Sequence, residues 1–122
     1  MTTRSILHSS LSRAAAPAEI AADAAVLARL AASLPPPAVV MSFAPREARA
    51  RIQDWSFFIE DSFRDCDTLA GFAALQDATN ALGALEISHD LTGVREKISA
   101  AFQTLDDAAL ALAPTNGLAA AA

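Results

Sequence analysis

The sequence predicts an all-α protein, in the form of an antiparallel bundle of three or four helices with a Pro-rich linker after the first helix. Alanine supplies 31 of the 122 residues, and alanine is the best helix former because it loses no side-chain entropy in a helix. Glycine occurs only four times and tyrosine is absent. Apolar side chains recur every three to four positions over residues 45–112, which is the period of a helix face. That stretch is therefore expected to form the stable part.

The first helix is expected to begin near Pro17, because proline fits the first helical turn, where its missing N–H would have no partner. Its apolar stripe consists of Ile20, Leu27, Leu30 and Leu34. Three consecutive prolines at 35–37 end this helix and hold the chain in extended geometry. Residues 38–41, Ala-Val-Val-Met, are the only strand-like piece. Because they are too short and isolated for a sheet, we predict a linker that crosses the bundle.

Three later stripes predict the remaining helices. The second helix starts near Pro45, with Ser42 as a candidate cap, and a break at 65–68 lets Asp67 or Thr68 cap the third. The pattern weakens at 88–93, where either Thr92 caps a fourth helix or the third and fourth run on through His89. The three stripes are Ala48, Ile52, Trp55, Ile59, Phe63 and Cys66; Leu69, Phe72, Leu75, Thr79, Leu82 and Leu85; and Val94, Ile98, Phe102, Leu105, Ala109 and Leu112.

The domain organisation follows from length and composition. A chain of 122 residues has the length of one domain. We expect a flexible N-terminal arm at residues 1–16, a bundle domain at 17–113 and a disordered tail at 114–122. No apolar run reaches the ~20 residues of a membrane span. The sequence therefore predicts a cytoplasmic protein with no transmembrane segment. The alternative is an organelle matrix, if residues 1–18, which contain arginines and no acid, act as a presequence.

The charge is divided unevenly along the chain, which has a net charge of −5. Residues 1–51 carry six arginines and three acids, for a net +3, whereas residues 52–122 carry three basic residues and eleven acids, for a net −8. A net acidic protein repels the phosphate backbone, so nucleic acid is excluded as a general partner. The acidic half suits a basic partner, although solubility alone also explains it.

Four aromatic residues within nine positions are the least ordinary feature of the sequence. They are Trp55, Phe57, Phe58 and Phe63. Aromatic side chains dominate interface energetics, and a small bundle has little room to bury aromatics from both sides of one helix. We therefore predict a non-enzymatic interaction protein, such as an adaptor, an assembly factor or a chaperone-like bundle. These four residues would bind a protein partner or a second copy of the chain, and we expect a dimer.

Two alternative functions centre on His89. Ser88-His89-Asp90-Leu91 resembles the core of the phosphoacceptor box of sensor kinases and histidine phosphotransferases, and this resemblance implies phosphotransfer through the imidazole. Alternatively, Glu86 and His89 have the Glu-x-x-His spacing that places a carboxylate and an imidazole on one helix face for a metal. Di-iron bundles need two such motifs, so the second half would have to come from another copy. The plain interpretation is an exposed histidine near a helix junction.

The remaining candidate residues indicate structural roles, and no cofactor is predicted. Cys66 continues an apolar stripe and is expected to be a buried, inert thiol. The acids around it fail the calcium-loop pattern, because the sixth position is Ala70 and the twelfth is Gln76. The arginines at 46, 49 and 51 either face an anion or pair locally, with Arg51 next to Asp54 or Glu47. The sequence shows no glycine-rich phosphate loop and no nucleophile elbow, so an enzyme is the less favoured class.

Overall fold

The computed structural model describes residues 16–113, of which 83% are helical and none lies in a strand. The all-helical class predicted from composition is confirmed. A short 3₁₀ turn at Phe63–Asp65 follows the fourth helix. The predicted arm at 1–16, apart from Ala16, and the predicted tail at 114–122 lie outside the described residues. The helices are α1 (Pro17–Ser33), α2 (Pro37–Ser42), α3 (Pro45–Ala50), α4 (Ile52–Ser62), α5 (Leu69–Ile87) and α6 (Val94–Leu112).

The core lies where α6 packs against α1 and α5, with α4 closing against α5. Leu27, Ile59, Leu82 and Leu105 are fully buried, and they come from four different helices. The predicted stripes of the second and fourth helices are confirmed, since all their members are buried or half-buried. The third stripe is wrong at its first position, because Leu69 at the start of α5 is 58% exposed. Burial of large apolar side chains, at about 1.5–3 kcal/mol each, is the main stabilising term here.

The linker predicted over residues 38–41 is wrong, because these residues form most of helix α2. Pro37 occupies the first turn of α2, and the N–H groups of Val39 and Val40 donate to the Pro36 carbonyl. Val40 is fully buried, so tertiary packing outweighs the strand preference of two adjacent valines. Only Leu34 and Pro36 retain the extended backbone expected of a proline run, with ψ angles of 152° and 159°.

Three predicted caps meet different outcomes. The Thr68 cap of α5 is confirmed, since the Thr68 hydroxyl accepts the Gly71 N–H at 3.1 Å. The Ser42 cap is wrong: Ser42 ends α2, and Ala44 precedes α3 without a side-chain cap. The Thr92 cap is also wrong, because Gly93 is the N-cap of α6 at φ 70°, a left-handed conformation that glycine adopts without steric cost. The chain between α5 and α6 is non-helical, so these two helices do not run together.

A buried carboxylate joins α1 to the start of α5. Asp23 has no exposed surface, although it lies in the apolar stripe of α1. Its carboxylate accepts the Thr68 N–H at 2.7 Å and the Thr68 hydroxyl at 2.6 Å. The same group accepts the Asp67 N–H at 2.9 and 3.0 Å. Asp23 thus satisfies backbone donors that the first turn of α5 leaves without helical partners, and its negative charge suits that end of the helix dipole.

Two arginines satisfy carbonyl groups at helix ends. Arg49 donates to the carbonyls of Leu85 (3.4 Å) and Glu86 (2.8 Å), at the end of α5. Arg95 donates to the carbonyls of Met41 and Phe43, at the end of α2. These contacts place positive charge where the helix dipole is negative. Arg49 therefore has a structural role, and an anion site formed by the arginine cluster would lack one of its three members.

The stretch Pro17–Ser42 is the most apolar part of the described chain. By length and composition it is able to cross a membrane, with a mean hydropathy of 1.5 in its best window, a third of which is buried inside the protein. The same stretch is interrupted at residues 34–36 and buries the hydrogen-bonded Asp23 in the core. These are features of a core helix, and the absence of a transmembrane segment stays a prediction.

Candidate functional site

The four aromatic residues predicted to bind a partner divide into two groups. Phe57 and Phe58 are 56% and 53% exposed, and we call these two residues the aromatic patch. Trp55 is only 6% exposed and Phe63 is half-buried against the core. Successive residues of a helix are about 100° apart, so Trp55 and the patch cannot share one face. The structure therefore leaves Phe57 and Phe58 as the accessible pair.

Trp55 lies directly beneath this surface and connects it to the core. Its indole meets the Phe102 ring edge-on, with centroids 5.3 Å apart, and the tilted Phe43 ring at 6.4 Å. The Arg51 guanidinium covers the other part of Phe43 at 4.5 Å, a cation–π contact, and this is the partner that replaces the predicted Asp54 or Glu47. The helix that carries the patch is thus held rigidly from below.

Acidic side chains surround the aromatic patch. Asp54 lies one turn before Phe57 and Phe58, and Asp61 lies one turn after them, so all four share the solvent face of α4. Glu60 is also exposed and is three residues from Phe57. Arg64 pairs with Asp61 at 3.0 Å and neutralises part of this charge. The sequence pattern alone marks these acids as an ordinary solvated face and does not reveal that their spacing encloses the phenyl rings.

An open cleft of about 370 Å³ accompanies the patch. Arg51, Asp54, Trp55, Phe57 and Phe58 line it, so it combines aromatic walls with one basic and one acidic group. A second cleft, of about 470 Å³, lies between α5 and α6, and alanine methyl groups form much of its wall. The first cleft has the aromatic and charged composition that is typical of protein interfaces. We therefore take the aromatic patch and its acidic surround as the candidate site.

The structure places His89 outside the helix in which the sequence pattern put it. Helix α5 ends at Ile87, and His89 is exposed in the connection to α6. Glu86 and His89 therefore lack the common helix face that the metal hypothesis requires. The Asp90 carboxylate accepts the Thr92 N–H at 2.9 Å, and this hydrogen bond lowers the pKa of Asp90. Asp90 is thus engaged with Thr92 in the turn, which weakens the expectation that it orients the imidazole for phosphotransfer.

A metal centre finds no support within residues 16–113, where no group of three His, Cys, Asp or Glu side chains converges closely enough to hold an ion. The acids Asp65 and Asp67 flank Cys66, but Asp67 contributes its N–H to Asp23 rather than an oxygen to a shared site. A role for Glu86 and His89 in a site shared with another copy stays a prediction.

Cys66 is a buried thiol with 2% of its surface exposed. Burial, followed by the nearby charges of Asp23, Asp65 and Asp67, raises the pKa of the Cys66 thiol to about 12. The thiolate is the reactive form of cysteine, so a raised pKa makes this sulfur a poor nucleophile near neutral pH. The expectation of an inert thiol therefore agrees with its surroundings.

The raised pKa of Cys66 predicts a loss of stability in alkali. The folded pKa lies above the unfolded value of about 8.5, so this contribution is fully present below about pH 8.5 and declines as the pH rises toward 12. Urea unfolding at about pH 8 and about pH 10.5 is expected to show a larger fall in unfolding free energy for the wild type than for Cys66→Ala. Equal falls in the two proteins would contradict the prediction.

Comparison of the chain with known proteins gives no relative. No protein-family model matches it, and neither a curated protein nor a solved structure does. The assignment of a function therefore rests on the side chains and surfaces described above.

Proposed function

We propose that this chain is a helical interaction protein, of the adaptor, assembly-factor or chaperone-like kind, that binds a protein partner through the aromatic patch. The observation that supports it is the exposure of two adjacent phenylalanines, each more than half accessible, on a helix whose opposite side fills the core. Large apolar side chains inside an exposed patch with a polar rim are typical of binding surfaces. Trp55 beneath them holds the surface in a fixed position, which lowers the entropy cost of binding.

The proposed scaffold is an antiparallel bundle of three or four long helices, with the proline-containing segment after α1 as a linker. The short connections favour this arrangement, because neighbouring helices joined by few residues run in opposite directions. Only six residues, 88–93, separate α5 from α6. In such a bundle α4 lies at the outside, because it packs mainly against α5, and its aromatic patch stays accessible.

The charges around the patch favour a basic partner over a symmetric dimer. A two-fold dimer through α4 would bring the acids of one copy against the same acids of the other, and like charges across an interface cost affinity. An amphipathic helix with apolar and basic side chains has the opposite charge and would gain from Asp54, Glu60 and Asp61. Self-association thus stays a prediction, and the acidic surround argues for a surface other than the patch if it occurs.

Phe57→Gln/Phe58→Gln is expected to abolish partner binding and to leave the fold intact. Both side chains are exposed, and surface substitutions usually change unfolding free energy by less than about 0.5 kcal/mol. The measurement is affinity capture from the native cell, followed by titration of the purified partner. Loss of two central aromatic residues is expected to weaken the Kd by at least about 30-fold, or about 2 kcal/mol.

The matched control is Leu69→Gln, since Leu69 is 58% exposed and lies outside the patch. This variant is expected to bind the partner as the wild type does. Light scattering of all three proteins records whether each is a monomer or a larger species. A partner bound equally well by the patch variant and the control would refute the proposed function, and so would a larger species that persists in the patch variant as the only assembly formed.

A further inference from the structure

The acidic surround of the aromatic patch is complemented by a basic segment of the same chain. Residues 1–15 lie outside the described part of the structure, but their sequence contains Arg4 and Arg13 and no acid. The apolar residues Ile6, Leu7 and Leu11 lie between the two arginines. The segment thus combines an apolar centre with positive charge at both sides, whereas the patch combines two phenyl rings with acids one turn before and after them.

We propose that residues 1–15 dock on the aromatic patch of their own chain and cover it until a partner displaces them. This inference rests on the proposed function, because it makes the segment an internal competitor for the same surface. Ile6, Leu7 and Leu11 would contact the phenyl rings. Arg4 and Arg13 would face the carboxylates of Asp54 and Asp61, which removes the unfavourable exposure of the apolar groups and pairs the opposite charges.

The length of the segment is sufficient for this contact. An extended chain of 15 residues spans about 50 Å, whereas a body of about 100 residues has a radius of gyration of only about 13 Å. The segment joins the described body at Ala16, directly before α1, and α1 packs against α4. A short tether gives an effective concentration in the millimolar range, so even a contact of modest intrinsic affinity is populated. The charge division between residues 1–51 and 52–122 therefore acquires a regulatory role.

Paramagnetic broadening in the full-length chain tests the docking. A nitroxide is attached at Ser5→Cys in a Cys66→Ala background, so that the label has one site. Amide signals of Phe57, Phe58 and their neighbours on α4 are expected to lose at least about half their intensity, because the tethered segment is mostly bound. Arg4→Glu/Arg13→Glu in the labelled chain is expected to restore them, and so is salt at about 1 M, which screens exposed charges beyond about 3 Å.

The outcomes separate docking within one chain from contact between two molecules. Equal broadening in the labelled chain and its charge-reversed variant would overturn the proposal, and so would the absence of broadening on α4. Broadening in an isotope-labelled copy without a nitroxide, mixed with a spin-labelled copy, would assign the contact to a second molecule and overturn the proposal as stated. If the patch variant loses partner binding while α4 shows no broadening, the proposed function stands and this inference fails.

Discussion

Replacing Trp55 with alanine is expected to lower the free energy of unfolding by about 3–5 kcal/mol, the usual cost of removing a large buried aromatic side chain. Trp55 is 6% exposed and packs edge-on against Phe102 at 5.3 Å. Each favourable ring pair adds about 0.5–1.5 kcal/mol to the effect of burial alone. Because small domains are stable by only about 5–15 kcal/mol, this one change removes a large share of the total.

Urea unfolding followed by far-ultraviolet circular dichroism measures this loss without relying on the tryptophan itself. Trp55→Phe retains a ring at the same place and is expected to cost only about 1–2 kcal/mol, which keeps the prediction testable if the alanine variant does not fold. Phe58→Ala, three residues away on the exposed face, is the matched control and is expected to cost less than about 0.5 kcal/mol. Equal losses for Trp55→Ala and Phe58→Ala would show that the burial difference has no energetic consequence.

The contrast between these two residues indicates how much of the fold the sequence contains. The three-to-four-residue spacing correctly assigns Ile52, Trp55 and Ile59 to the buried face of α4, because helical geometry fixes which positions share a face. Helix α2 escapes prediction because a pair of valines has strand preference in isolation, and the burial of Val40 that overrides it depends on residues far along the chain. Gly93 escapes prediction as a cap because its left-handed backbone satisfies geometry rather than donating or accepting through a side chain.

The candidate site is predictable only in part, for the same reason. The sequence identifies the aromatic cluster but presents its four members as one surface, since a pattern of letters does not show which side of a helix meets the core. Phe57 and Phe58 remain available to a partner, whereas Trp55 and Phe63 belong to the supporting structure. The helix expected to hold His89 ends two residues before it, because the chain turns at Ser88. Neither feature is determined by local spacing.

Asp23 is the clearest case of a residue whose role needs the tertiary structure, and it leads to the second large effect. Asp23→Ala is expected to lower the free energy of unfolding by about 3–5 kcal/mol, because it leaves the Asp67 and Thr68 N–H groups and the Thr68 hydroxyl buried without their acceptor. Asp23→Asn is expected to cost about 2 kcal/mol, since one amide oxygen still accepts from Thr68 while the amide nitrogen faces the Asp67 donor.

A second variant tests the same contact from the other side. A β-carbon at position 71 would lie 2.5 Å from Asp23 Oδ2, so Gly71→Ala must displace the carboxylate even though alanine is the better helix former by about 1 kcal/mol. Gly71→Ala is therefore expected to destabilise the protein, whereas Gly83→Ala, where a β-carbon meets nothing within 4 Å, is expected to stabilise it. Urea midpoints of these two variants and of Asp77→Ala, an exposed acid on α5, provide the comparison. If Gly71→Ala is as stable as Gly83→Ala, or if Asp23→Ala behaves like Asp77→Ala, then the buried carboxylate does not hold α1 to the start of α5.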